Sequence, residues 1–145
     1  MKTVGDVLRA KGSAVCAAKP DETVYHALTV MAEKNIGALI VREGERVVGI
    51  FSERDYARQV VLKGKASKDT PLRDVMTSRV VFVRPEHTLE ECMALMTEKN
   101  LRHLPVLDNG RLIGVISIRD VVKDLISEKE FMIAQLENYI TDRRA

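Results

Sequence analysis

Along this chain the spacing of apolar and polar positions changes in the same order twice. Val80-Val81-Phe82-Val83 is a short β-rich run ended by Pro85, and Val15-Cys16-Ala17-Ala18 before Pro20 is its poorer counterpart. Apolar residues then recur at helical spacing: Val24, Ala27, Leu28 and Met31 behind Thr23, and Leu89, Cys92, Met93 and Met96 behind Thr88, each threonine placed to cap its helix. Asn35 and Asn100 end these helices as left-handed caps. Two strands follow in each copy, over 38–42 with 47–51 and over 103–107 with 112–116. They are joined by Glu43-Gly44-Glu45 and by Asp108-Asn109-Gly110, whose Asn-Gly step is a strong hairpin signal. A second helix opens at Ser52 or Ser117, with Tyr56, Val60 and Val61, or Val121, Val122, Leu125 and Ile126, on its buried side. The order is β-α-β-β-α, twice, which predicts an α/β (α+β) fold.

The two copies are related in residues as well as in pattern. Shifting the chain by about 65 positions lays Thr23–Arg58 on Thr88–Lys123 without a gap, with roughly a third of the pairs identical. Glu33-Lys34-Asn35 falls on Glu98-Lys99-Asn100, Gly49 on Gly114, and Ser52-x-Arg54-Asp55 on Ser117-x-Arg119-Asp120. Val4-Gly5-Asp6-Val7-Leu8 echoes Leu72-Arg73-Asp74-Val75-Met76 once a short insertion near Lys11-Gly12-Ser13 is allowed, so each half begins with a short helix. The expected division is a first repeat over 1–62, a polar linker over 63–71, a second repeat over 72–127 and a helical extension over 128–145. One unit is too small to bury a core comfortably, so the two are expected to pack sheet to sheet, with similar clefts at the two ends of their interface.

Composition narrows the function classes. Nearly half of the 145 residues are apolar, enough for a real core, and the charges nearly cancel at +2, so no global field marks a nucleic-acid or membrane binder. The basic residues Arg42, Arg46, Arg54, Arg58, Lys63, Lys65 and Lys68 read as a solvated face, and few aromatics are present to stack on bases. No apolar run approaches a membrane span, and the start lacks a signal stretch. Cys16 and Cys92 read as small core residues, and a cytoplasmic, reducing setting is expected. No metal-spaced cluster, phosphate loop or nucleophile-base pair stands out, and His26 and His87 read as solvated helix-start residues. No catalytic chemistry and no required cofactor are expected.

The repeated Ser-x-x-Asp step has two readings that use one geometry. Serine at a helix N-cap and aspartate three residues on can form a reciprocal capping box. The same helix start offers amides to a phosphate, serine adds a hydroxyl, Arg54 or Arg119 adds charge-assisted bonds, and the carboxylate can accept both hydroxyls of a ribose.

These residues carry a family resemblance. From Val4 to about Ser127 the chain resembles a tandem cystathionine-β-synthase-type (CBS) domain pair, the Bateman module, and it is similar to stand-alone bacterial and plant pairs in Ser-Glu-Arg-Asp-Tyr, Lys-Gly-x-x-Ser-Lys-Asp-Thr and Leu-Glu-Asn-Tyr-Ile. The resemblance implies a regulatory module holding AMP, ADP, ATP or NAD. Asp55 and Asp120 would then meet ribose, with Ser52 and Ser117 near ribose or phosphate. It places the adenine slots near Val15 and Val80 and near Gly37-Ala38 and Arg102-His103. Because Gly37-Ala38 carries no charge where Arg102-His103 carries two potential phosphate ligands, one preferred cleft is expected; His103 also reads as a hairpin histidine without a ligand.

Past the second repeat, Met132, Ile133, Leu136, Tyr139 and Ile140 share one helix side. This stripe packs either on its own domain or on a second subunit, since members of the family form dimers. A homodimer and an unidentified regulated protein are the expected partners, with no nucleic acid and no membrane. A protein-interaction scaffold without an obligatory ligand is the alternative.

Overall fold

The computed structural model describes residues 1–12 and 14–144, so Ser13 of the expected insertion and the terminal Ala145 lie outside the described residues. The elements run α1 (Val4–Lys11), β1 (Ala17–Ala18), α2 (Val24–Lys34), β2 (Ala38–Glu43), β3 (Arg46–Ser52) and α3 (Glu53–Asp55) in the first half. A single 3₁₀ turn at Leu72–Asp74 leads to α4 (Leu89–Lys99), β4 (His103–Asp108), β5 (Arg111–Ser117) and α5 (Ile118–Arg144). The chain is thus a mixed α/β molecule with a three-stranded sheet β1-β2-β3 and a two-stranded sheet β4-β5.

The local signals form the expected elements in both halves. The Thr23 and Thr88 hydroxyls accept from the amides of His26 and Glu91, and Asn35 and Asn100 turn left-handed at φ 53° and 56°. At the second hairpin Asn109 and Gly110 both take positive φ, as a primed two-residue turn requires. Each hairpin also carries a register shift at the same place, between Val41 and Arg42 and between Val106 and Leu107.

The first strands depart from expectation. The stronger β-run, 80–83, makes only an isolated parallel bridge from Val83 to Val106, whereas the poorer run yields strand β1 parallel to β2. The cause is one residue: Ile40 donates its amide to Cys16 O, but its counterpart Pro105 has no N–H to give, so the second ladder stops after a single bridge.

The second helices depart too. After α3 the chain widens into a π-helix over Tyr56–Val61, with Leu62 N bonding Ala57 O five residues back. This winding buries Val60 and part of Tyr56 but turns Val61 to solvent. In α5, Val121 is buried and Leu125 half-buried, while Val122 and Ile126 are exposed, because only one narrow face of that helix meets α4 and β5. The helix runs unbroken through residue 127 to Arg144.

Apolar burial is organised as two cores, and the leading segments are exchanged between them. Val4, Val7 and Leu8 of α1 are buried with Leu89, Cys92, Met96, Leu104 and Ile116 of the second half. Leu72 and Val75 are buried with Val24, Met31, Leu39 and Phe51 of the first. The backbone repeats the exchange bond for bond. Val4 N bonds His87 O and Gly5 N bonds Pro85 O, as Leu72 N bonds Glu22 O and Arg73 N bonds Pro20 O. Each buried side chain of these segments contributes about 1.5–3 kcal/mol of apolar burial, so the exchange ties the halves together strongly.

Candidate functional site

Each Ser-x-x-Asp step stands where a hairpin's second strand turns into a helix. Ser52 is extended (φ −121°, ψ 167°), its hydroxyl accepts from Asp55 N, and its amide donates to Asp55 Oδ2 at 2.9 Å, the full capping box. Ser117 and Asp120 repeat it, with Ser117 N donating to Asp120 Oδ2 at 2.9 Å and Asp120 N donating to Ser117 Oγ at 3.1 Å. The hairpin register brings the expected neighbours alongside: Ala38 pairs with Ser52 and His103 with Ser117. Glu53 N bonds Gly37 O, and Ile118 N bonds Arg102 O.

The two aspartates differ in their next partner, and in both cases that partner comes from an exchanged segment. Asp55 Oδ1 accepts from the hydroxyl of Thr77 at 2.9 Å. Thr77 follows Met76 and is fixed by backbone bonds to Ile50 in both directions. Asp120 Oδ2 instead accepts from Lys11 Nζ at 2.6 Å, at the end of α1. Burial of Asp120 works against its charge, but the bonds from Lys11 and Ser117 outweigh it and hold the carboxyl below its ordinary value of 3.8.

His103 crosses the boundary between the halves. A Cβ placed on Gly37 would lie 3.5 Å from its Cε1 and 3.8 Å from Glu53 Oε1, so the space beside Gly37 is filled by residues of both repeats. Burial pushes the imidazole below its ordinary 6.5. Asp120 and Glu53 partly oppose this, while Lys11 and Arg102 reinforce it.

Arg54 donates to Asn100 O at 2.9 Å and so caps the end of α4 across the boundary. Arg119 lines a groove of about 480 Å³ together with Asn35, Gly37 and Glu53. Arg102 is exposed, and Val15 and Val80 are half-buried just ahead of β1 and of the Val83 bridge. A second groove of about 410 Å³ lies among the hairpin tips, lined by Glu45, Arg46 and Phe82 among others. Neither groove is lined by Asp55 or Asp120, which lie under Thr77 and Lys11. Lys11, Thr77, Glu53 and Asn100 join the corners without any sequence signal that marks them as neighbours of the two aspartates or of Arg54. The echo between 4–8 and 72–76 was legible, but nothing in it says that each segment crosses to the other half.

Among the described residues no helix is long and apolar enough to cross a membrane. Both cysteines are free thiols, and burial, with Glu91 nearby, pushes Cys92 up to about 11. The large apolar residues Phe131, Met132, Ile133, Leu136 and Ile140 of α5 are all exposed, so these positions of the stripe do not pack on the repeats.

Comparison with known proteins agrees with this architecture. A family model described as CBS domain matches residues 3–62 and again residues 72–127. The CBS domain-containing protein CBSX3, mitochondrial, of Arabidopsis thaliana is 37% identical over 147 residues, covering 95% of this chain and 71% of the relative. The solved structure of a candidate signal-transduction protein with CBS domains from Burkholderia ambifaria MC40-6 is 50% identical, with a TM-score of 0.85 over 87% of this chain and 95% of that one. The CBS domain pair of protein MJ0100, solved in complex with 5′-methylthioadenosine and S-adenosyl-L-methionine, shares the fold at 20% identity and a TM-score of 0.76, covering 86% of this chain and 99% of that one.

Proposed function

The chain belongs to the CBS-domain family as a tandem pair of such domains, and from that premise we propose that it is a non-catalytic regulatory module taking adenosine-containing ligands at its two Ser-x-x-Asp corners. The observation that carries this reading is the placement of both carboxylates. Each belongs to one repeat and is touched by a segment packed from the opposite direction, Thr77 on Asp55 and Lys11 on Asp120. A ligand seated there meets elements whose relative position it can bias.

In this reading Asp55 and Asp120 accept ribose hydroxyls, and Ser52 and Ser117 stand beside the sugar or its phosphate. Gly37-Ala38 and Arg102-His103 border the base, with Val15 and Val80 as its apolar neighbours. Arg119 faces the ligand from the groove beside Gly37, whereas Arg54 serves mainly to hold Asn100. AMP is the expected ligand, with ADP, ATP and NAD sharing the recognised adenosine; that MJ0100 takes two adenosine derivatives in a related fold supports this class. Binding favours one arrangement of the two repeats over another, and a separate partner protein reads the difference. The exposed stripe of α5 serves a second copy of the chain, giving a homodimer in a reducing, cytoplasmic setting.

Calorimetric titration with AMP, alongside mass spectrometry of small molecules released from the purified chain, tests the reading. Asp55→Ala and Asp120→Ala are each expected to weaken AMP binding, by unequal factors. Absence of binding by AMP, ADP, ATP, NAD and S-adenosylmethionine alike would leave the protein as a scaffold without an obligatory ligand.

A further inference from the structure

We propose that Lys11 makes the Asp120 corner selective for a nucleoside carrying a 5′-phosphate, while the Asp55 corner takes adenosine with or without one. This deepens the ribose reading above and rests on it.

A ribose diol held by one carboxylate needs an open lone pair on each oxygen. Asp120 Oδ2 already accepts two hydrogens, from the Ser117 amide at 2.9 Å and from Lys11 Nζ at 2.6 Å. The amide is fixed by the start of α5, so it is Lys11 that must leave when a diol arrives. Its ammonium ends a flexible four-carbon stem and can swing. Arg102 and His103 stand at the adjoining strand start, with Glu53 of the other repeat facing the imidazole. A phosphate on the ligand gives the released ammonium a new charge-assisted partner beside the sugar, whereas a bare nucleoside brings none of its own and leaves it to Glu53 or solvent.

The Asp55 corner has no such requirement. Asp55 Oδ2 accepts from the Ser52 amide and hydroxyl, and Oδ1 accepts from the neutral Thr77 hydroxyl. A hydroxyl rotor can turn away without stranding a charge. The strand start beside it, Gly37-Ala38, is itself uncharged. Arg119, which lines the groove there from the other repeat, is not one of these three donors and need not move when a diol arrives. Two separate features, the donor brought by the exchanged segment and the residues of the strand start, therefore differ in the same sense between the corners.

The test compares AMP with adenosine by calorimetry in the full chain carrying Asp55→Ala, which leaves the Asp120 corner, and then with Lys11→Met or Lys11→Arg added. AMP is expected to bind the Asp55→Ala chain roughly tenfold or more tighter than adenosine, the size of one charge-assisted bond. Lys11→Met should weaken AMP and tighten adenosine, since the carboxylate is then open, whereas Lys11→Arg should keep the preference. In the Asp120→Ala chain the AMP-to-adenosine ratio should be smaller, set only by the fixed Arg119 of that groove, and should ignore Lys11→Met. An AMP-to-adenosine ratio that Lys11→Met leaves unchanged, in a chain whose AMP binding is still abolished by adding Asp120→Ala, would overturn the role of Lys11 and leave the ribose reading standing. Binding of both ligands that ignores Asp55 and Asp120 altogether would overturn that reading and this proposal with it.

Discussion

Leu8 lies so close over Gly114 that a Cβ built there would stand 2.7 Å from its Cδ2, and Met76 lies over Gly49 in the same way, with Sδ at 2.6 Å. The two glycines occupy matching strand positions, and the residues above them are matching positions of the exchanged segments. Identity between the repeats at Gly49 and Gly114 therefore reflects a close approach of chain from the other half, not a turn. Both substitutions to alanine should destabilise, by about 1–3 kcal/mol for an overpacked site, but unequally. At Gly114 the clash is with the tip of a leucine that can shift, whereas at Gly49 it includes the Thr77 carbonyl at 3.0 Å, which is held by its bond from Ile50 N. Denaturant unfolding should rank Gly49→Ala as the more damaging; the reverse order would mean that Met76 and its backbone yield more easily than Leu8.

Exchange of the leading segments predicts that damage in one half is felt in the other. Leu72 is fully buried among first-half residues, and Val4 among second-half residues. Leu72→Ala should cost about 2–5 kcal/mol and Val4→Ala somewhat less. Amide hydrogen exchange should accelerate first in β2 and β3 for Leu72→Ala and first in β4 and β5 for Val4→Ala. Equal acceleration in both sheets by either variant would show that the cores open together.

The two titrating groups beside the boundary act in separate pH windows. Burial lowers His103 below 6.5, so the folded chain favours its neutral form. Stability from this source is complete above 6.5 and is lost as pH falls through the lower folded value. Asp120 is held below 3.8, so its contribution is complete above 3.8 and is lost as pH falls through its folded value. His103→Gln should flatten the stability profile just below pH 6.5 and leave the acid limb in place, whereas Lys11→Met should weaken the acid limb. Denaturant midpoints across this range measure both; a His103→Gln profile identical to that of the parent would show that the imidazole is not desolvated.

Local chemistry was legible in the sequence and long-range placement was not. Thr23, Thr88, Asn35, Asn100 and the Asn109-Gly110 turn act within a few residues of themselves, and each forms what its type dictates. The run over 80–83 misled because its strand depended on a partner amide that Pro105, far along the chain, does not have. Val61, Val122 and Ile126 misled because helical spacing gives a face but not the width of what covers it. At the corners, Ser52, Asp55, Ser117 and Asp120 could be found from repetition alone. Their unlike partners Thr77 and Lys11 could not, since the crossing of the two segments is a property of the assembled fold.

The apolar stripe of α5 leaves a regular row of large side chains open to solvent. Val122, Ile126, Ile133, Leu136 and Ile140 are exposed and follow steps of four, seven, three and four residues, the spacing that a coiled-coil seam in the proposed homodimer would use, with Lys129 at the position between Ile126 and Ile133. Leu136→Glu places a charge in the middle of this seam and should weaken self-association by roughly thirtyfold or more, the scale of a buried hot spot. Truncation after Ser127 should have the same effect in sedimentation or light scattering, with AMP binding retained because Asp55 and Asp120 lie outside the removed segment. An unchanged dimer after truncation would move the self-association surface off α5 and onto the repeats themselves.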